Sequence, residues 1–293
     1  MKELTPETEV CLALGYFDSM HLGHRRIIEE MRGFAAEHGL ESCVATFSNN
    51  AYKLFNREEK AVYTYAERCA LLDGLCDHVL PIKFDKRLKD TPAEQFLDGV
   101  FSEYRIKAVV CGYDHLFGAG AKGDAELLKA YCAAHGVPCK IIDKFELDGT
   151  RVSTTLVKEL LAAGNIAEAN KFLGTPFFET GKVVHGRGAG RMFDIPTANL
   201  KIPTDKLLPA SGVYGVHCIV GDRTYNGAAN IGARPTFGLT KTETEVMIDG
   251  FSDNIYDESI TLKFIKYIRP VKRFDTPALL SKQVHEDIKW SGK

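Results

Sequence analysis

What the chain lacks narrows its class first. Its eight cysteines, Cys11, Cys43, Cys69, Cys76, Cys111, Cys132, Cys139 and Cys218, include no C-x-x-C pair, so neither a paired-thiol zinc site nor a redox dithiol is expected. Several stand in apolar runs, the pattern of buried free thiols in a reducing compartment. No apolar run is long enough to span a bilayer, and the first ten residues, MKELTPETEV, hold no apolar signal core, which points to the cytoplasm and to no membrane partner. Charge of one sign is not in excess: 37 Lys and Arg face 39 Asp and Glu, for a formal net charge of -2. A dedicated nucleic-acid binder would carry a basic face, so none is expected, and Lys201, Lys206, Lys263 and Lys266 read as solvated strand faces. Repeats and low-complexity tracts are absent, and no glycine-rich stretch runs into Gly-Lys-Ser/Thr, which excludes a Walker A loop.

What is present falls into two patterns. In the first half, short branched apolar runs at 11–14, 42–47, 78–82, 108–111 and 138–142 alternate with stretches of helical period at 24–34, 66–75, 92–104 and 124–135. Thr91, Pro92 and Glu94 suggest a capped start for the third helix. Alternation of this kind predicts a parallel sheet covered by helices, with ligands beyond the carboxyl ends of the strands. Residues 153–174 read as helical. After Gly174-Thr175-Pro176 the pattern becomes alternating segments at 179–184, 213–220, 224–229, 243–248 and 260–267, with Gly221-Asp222 as a two-residue turn. A small antiparallel β-barrel is expected there, closed by a terminal helix with Thr276 as cap and Pro277 at its first position. The fold class is therefore α/β plus β, in two domains, 1–174 and 175–293.

Two stretches carry chemistry. His21-x-Gly23-His24 follows the first strand at the turn into a helix, where backbone N–H groups face anions. Two imidazoles three residues apart share one side of that turn and can hold an α-phosphate during transfer, with Gly23 leaving room for an adenine or ribose. A metal-binding reading is weaker, because no third ligand has suitable spacing; the plain alternative is two surface histidines. The second stretch, residues 185–200, sets Gly186, Gly188 and Gly190 at alternate positions around Arg187, with Arg191 following, and ends Pro196-Thr197-Ala198-Asn199. Glycine backbone can lie against phosphate oxygens, and the oxygens of Thr197 and Asn199 are hard ligands that Mg²⁺ accepts beside phosphates. A glycine-rich turn followed by a proline-started strand explains the same residues equally well.

Together these stretches resemble the prokaryotic bifunctional riboflavin kinase/FMN adenylyltransferases, over nearly the whole length and in the same order. The resemblance implies a Rossmann-like nucleotidyltransferase domain carrying His21 and His24 as catalytic residues. Phe17, Asp18 and Gly23 accompany them at the nucleotide, as do Asp114 of Gly112–Gly118 and Ser153, Thr155 and Lys158 of a Ser-Thr-Thr-Leu-Val-Lys stretch. It implies a kinase barrel in which Gly186, Gly188, Gly190 and Arg191 cover phosphate, Thr197 and Asn199 hold Mg²⁺, and Glu245 takes the proton of the flavin alcohol. By sequence alone Glu243 is an equal candidate for that base. The phosphate tail, metal and alcohol are expected to converge inside the barrel. The implied reactions are riboflavin plus ATP to FMN, then FMN plus ATP to FAD and pyrophosphate, with ATP as co-substrate. Narrower alternatives are a kinase with a weakened first domain or, in another class, a flavin- or nucleotide-binding protein without catalysis. Departures from the family pattern cluster in the first domain: Tyr16 for Asn, Ser19 for Gly, Ser48–Ala51 for a Pro-His-Pro stretch, His115 for Phe and Lys158 for Arg. In the second, Asp194 stands for Gly and Met247 for His.

Overall fold

The computed structural model describes residues 4–55, 59–185, 197–233 and 242–292. Its contacts divide the chain into two compact units after Thr154. The first runs β1 (Glu9–Leu14), α1 (Leu22–Glu37), β2 (Glu41–Phe47), α2 (Tyr65–Leu72), β3 (His78–Ile82), α3 (Lys86–Lys89), α4 (Ala93–Glu103), β4 (Arg105–Gly112), α5 (Ala125–Ala134) and β5 (Cys139–Ile142), then a hairpin of β6 (Glu146–Leu147) and β7 (Thr150–Arg151). The five longer strands form one parallel sheet in the order β3-β2-β1-β4-β5. β1 is buried along Val10–Leu14, so it reads as an unbroken apolar run, as strands covered on both faces do. Val10, Leu12 and Leu14 pack with Ala45, Val109 and Cys111 in one core; each large side chain so buried contributes roughly 1.5–3 kcal/mol. Chain order reverses between β1 and β4, which places a crevice at their carboxyl ends.

Helix ends are fixed locally. Thr64 and Glu67 form a reciprocal capping box on α2, and Asp124 caps α5 through Leu127 N–H at 2.8 Å. Thr91 does not cap the helix after it. Its hydroxyl donates back to the Arg87 carbonyl at 2.8 Å, closing α3, and Pro92 takes the cap position of α4 with no side-chain bond.

In the second part of the chain the expected single helix over 153–174 is two, α6 (Thr154–Ala162) and α7 (Ile166–Leu173). The break falls at Gly164, whose φ of +74° reverses the chain while Asn165 N–H bonds back to Leu160. Six strands follow: β8 (Phe178–Val184), β9 (Thr197–Lys201), β10 (Gly212–Val220), β11 (Arg223–Ala233), β12 (Thr242–Ile248) and β13 (Ser259–Arg269). They close an antiparallel barrel in the order β10-β11-β12-β9-β8-β13. β9 is the strand the sequence pattern did not mark as part of the barrel; it is short and begins at the proposed metal residues. Asn170 of α7 ties itself to the barrel, donating to the Phe264 carbonyl at 2.8 Å and accepting from Phe177 N–H at 2.7 Å.

The last helix, α8 (Pro277–Ile288), is capped by Thr276 as expected. Ile288, Val284 and Leu280 pack on Val213, Ala228 and Met247 of the barrel's outer surface. Arg269 grips Asp287 with a bond from Nη2 at 2.6 Å, and both side chains are largely buried. The chain's one tryptophan, Trp290, is 8% exposed and donates Nε1–H to the Gly227 carbonyl at 2.8 Å. Lys206, expected on a solvated face, is 1% exposed with its ammonium 4.7 Å from the centre of the Phe177 ring; aromatic faces lower the cost of burying that charge.

Candidate active sites

The first unit holds a cavity of about 730 Å³ at the β1–β4 crevice, within the range usual for small-molecule sites. The loop after β1 forms one wall. Phe17 and Met20 sit in it at φ of 52° and 47°, strained conformations for bulky residues, and both side chains are buried. His21 caps α1: its Nδ1 accepts the His24 N–H at 3.0 Å, which leaves the ring proton on Nε2. The two imidazoles stack at 3.7 Å, and Phe17 meets His24 edge-on at 5.3 Å. His24 and Phe17 line the cavity. Burial lowers the His21 pKa to about 4, with a smaller push from Arg151. Burial, then the neighbouring His21, lowers that of His24 as well. Both shifts favour the neutral rings in the ligand-free protein. Gly23 makes room for a different group than expected: a Cβ there would come within 3.0 Å of His21 Cε1, so the glycine accommodates the imidazole.

Other expected residues take less direct places. Asp18 lines the cavity but its Oδ1 accepts Val62 N–H at 2.9 Å, so it anchors the loop. Asp114 lies on the wall, paired with Arg151 at 2.7 Å and 59% exposed, a pair weak enough to open for a ligand. Thr155 is exposed and Ser153 and Lys158 are half-buried around the start of α6. The residue of that stretch on the cavity wall is Thr154, whose hydroxyl lies 2.9 Å from that of Ser19. Sequence reading passed it over.

The far wall is aromatic. Tyr16 lies 5.3 Å from Phe47 and 5.4 Å from Tyr52, and Phe47 lies 4.8 Å from Phe84, by ring centres. The turn that lacks Pro-His-Pro is held by asparagines. Asn49 exchanges two 2.8 Å bonds with the Phe84 backbone, and Asn50 accepts Tyr52 N–H at 3.0 Å while donating to the Glu59 carbonyl. Hydrogen bonds thus do there what proline rings do elsewhere, restraining the backbone. His115 also lines the cavity, stacked on Phe117 at 5.5 Å, and burial lowers its pKa to about 4.

In the barrel, Gly186, Gly188, Gly190 and Arg191, together with Asp194, lie outside the described residues. Thr197, Asn199 and Glu245 do not. Glu245 on β12 stands directly opposite Asn199 on β9, and Thr197 Oγ1 donates to Glu245 Oε1 at 2.5 Å. Glu243 pairs with Gly232 and lies beyond the Thr244–Leu200 pair, at the end of β9 away from Thr197, so the register separates two glutamates that the sequence left equal. All three side chains are half-buried. They are on the barrel's outer face, not inside it: side chains alternate along a strand, Leu200, Thr244 and Val246 fill the interior, and Met247, on the Glu245 face, packs against Ile288 of α8.

Beside Thr197 is a second cavity of about 300 Å³. Its walls include Val183, Val246 and Ile248 and the loop 251–256, which no sequence motif had marked. Tyr256 of that loop stacks on His185 at 3.8 Å. Thr197 and Asn199 offer two neutral oxygens two residues apart on one strand face, and Glu245 adds a carboxylate. That donor set suits Mg²⁺, which keeps most of its shell as water and phosphate oxygen. Among the described residues no cluster of three His, Cys, Asp or Glu suits a transition metal.

Comparison with known proteins agrees with this division. The family described as FAD synthetase matches residues 4–156, and that described as riboflavin kinase matches residues 173–293. The bifunctional riboflavin kinase/FMN adenylyltransferase of Pseudomonas fluorescens is 33% identical, covering 98% of this chain and 94% of its own. That of Escherichia coli K12 is 30% identical, covering 96% and 91%. A crystal structure from Streptococcus pneumoniae, titled as a macrolide-efflux protein, superposes with a TM-score of 0.85 at 28% identity, over 96% of this chain and 93% of that one. With the histidine pair at the sheet crevice and the Thr-Asn-Glu group on the barrel, the chain belongs to the bifunctional riboflavin kinase/FMN adenylyltransferase family.

Proposed function

We propose that the barrel, residues 175–293, phosphorylates riboflavin through Glu245, Thr197 and Asn199, and that the first domain, residues 1–174, adenylylates the FMN so formed. The juxtaposition of Thr197, Asn199 and Glu245 on one face supports the first step above all. Glu245 accepts the proton of the flavin's terminal hydroxyl as that oxygen attacks the γ-phosphorus of ATP, the bond from that phosphorus to the bridging oxygen breaks and ADP leaves. Thr197 keeps its lone pairs free because it donates its proton to Glu245; with Asn199 it would hold Mg²⁺. Bound there, the ion would neutralise phosphate charge in a loose transition state. Gly186, Gly188, Gly190 and Arg191 would cover the phosphates, and the cavity walled by Phe251–Tyr256 accommodates the rest of the nucleotide.

In the first domain His21 and His24 donate hydrogen bonds to the α-phosphate of a second ATP while the FMN phosphate attacks it and pyrophosphate leaves. The charge developed there is met by positioned N–H donors, without a covalent intermediate. Phe17 and Gly23 place the two rings, Asp18 fixes their loop, and Asp114, Ser153, Thr155 and Lys158 complete the nucleotide site. The aromatic wall of Tyr16, Phe47 and Phe84 supplies a face for the flavin ring. Eight free thiols support a reducing, cytoplasmic setting. Flavin synthesis is what the two geometries support.

The test is direct. Purified protein is incubated with riboflavin, ATP and Mg²⁺, and the flavins are separated by chromatography. FMN followed by FAD is expected; FMN alone would leave only the kinase, and neither product would overturn the reading.

A further inference from the structure

We propose that Asn230 reads the sugar-alcohol side chain of the flavin, an inference that rests on the kinase reading above. Asn230 on β11 stands opposite Glu245 on one side and Val213 of β10 on the other. It therefore extends the row Asn199–Glu245 by one strand on the same outer face. Its Oδ1 is buried and has no hydrogen-bond partner among the described residues. A buried acceptor without a donor destabilises a fold, and one placed beside the base of a reaction is suited to a donor that arrives with the substrate.

The surroundings say which donor. Along β11, Ala228 is two residues from Asn230 on the same face and belongs, with Val213 and Met247, to the apolar patch against which α8 packs. Gly232, two residues the other way, is closed off: a Cβ there would meet Ser211 Oγ at 3.2 Å and Val271 Cγ2 at 3.4 Å. Beyond Asn230 the face is covered by α8 on one side and closed at Gly232 on the other, so the polar row there is a carboxylate followed by a lone acceptor. The reacting end of riboflavin has the same order, the alcohol that is phosphorylated followed by a chain of hydroxyls. Neighbouring strands are about 4.8 Å apart, so with the terminal hydroxyl at Glu245 an inner hydroxyl of an extended chain comes to Asn230.

The experiment compares two flavins on two proteins. One flavin is riboflavin; the other carries a plain five-carbon chain with only the terminal hydroxyl, so it can still be phosphorylated. Asn230→Leu keeps the side-chain size and removes the acceptor. It is expected to raise the KM for riboflavin by about 3- to 10-fold, while the KM for ATP and for the plain-chain flavin stay at wild-type values. An unchanged riboflavin KM, or equal weakening of both flavins, would assign Asn230 to packing and overturn the proposal. Wild-type protein tests it without any variant: riboflavin must have the lower KM, and equal values for the two flavins would sink the idea even if Asn230→Leu failed to fold. Failure of the wild type to make FMN is a separate result, which strikes the kinase reading and removes this inference with it.

Discussion

The hydroxyl of Thr197 donates to Oε1 of Glu245 at 2.5 Å across the β9–β12 pair. The bond orients the carboxylate beside the oxygens that would hold the metal. Replacing Glu245 by Gln removes the base with little change in shape. FMN formation is expected to fall by about 10²- to 10⁴-fold, while FAD formation from supplied FMN continues unchanged. Loss of both activities, or of neither, would show that Glu245 has another role.

Thr197→Val keeps the β-branched shape and loses only the hydroxyl. Turnover of riboflavin should drop, and the Mg²⁺ concentration giving half-maximal rate should rise, because one inner oxygen is gone and Glu245 is less well oriented. A titration of FMN formation against Mg²⁺ checks this; an unchanged midpoint would remove Thr197 from the metal site.

His21→Ala acts on the other domain and in two ways. It removes a phosphate donor, so FAD formation should fall sharply while FMN formation is retained. It also removes the N-cap of α1, which costs about 1 kcal/mol of stability. Chromatography of the flavins separates the first effect from the second, which is read by thermal unfolding.

The buried rings make the first unit sensitive to acid. His21 and His115 have folded-state pKa values of about 4, lowered mainly by burial, against about 6.5 when unfolded. The unfolded chain binds more protons between those values, so stability is full above about pH 6.5 and is lost as pH falls toward 4, by at most about 3 kcal/mol per ring. His115→Phe should flatten part of that loss. Denaturant unfolding at pH 7 and pH 5 provides the measurement; an identical pH slope in the variant would contradict it.

Asn49→Ala should loosen the turn after β2, since both bonds to Phe84 disappear. The KM for FMN in the adenylyl step is expected to rise several-fold, with riboflavin phosphorylation untouched. Equal KM values for FMN would show that the aromatic wall does not depend on this turn.

Much of the architecture was legible because its signals are local. The apolar runs of β1 and β4 and the helical periods between them mark a parallel sheet, and Gly221-Asp222 marks a hairpin. What the sequence concealed depends on partners distant along the chain. Glu243 and Glu245 are both polar residues on the same face of one strand, and only the pairing of Glu245 with Asn199 tells them apart. Thr154 is one hydroxyl among three until Ser19 meets it. Lys206 looks like any surface lysine until Phe177 and Phe178 close around it. Thr91 and Gly164 carry ordinary helix signals, but Thr91 closes the helix before it, and Gly164 divides a helix that the pattern joined.

Trp290 gives the protein an intrinsic optical probe confined to the barrel unit. Its indole is anchored to the Gly227 carbonyl and fills the space over Gly215, so emission excited near 300 nm, where tyrosines contribute little, comes from this one site. A flavin ring absorbs in the band where indole emits, so occupancy of the barrel would dim that light by energy transfer. Melting of the sheet domain alone would leave it unchanged.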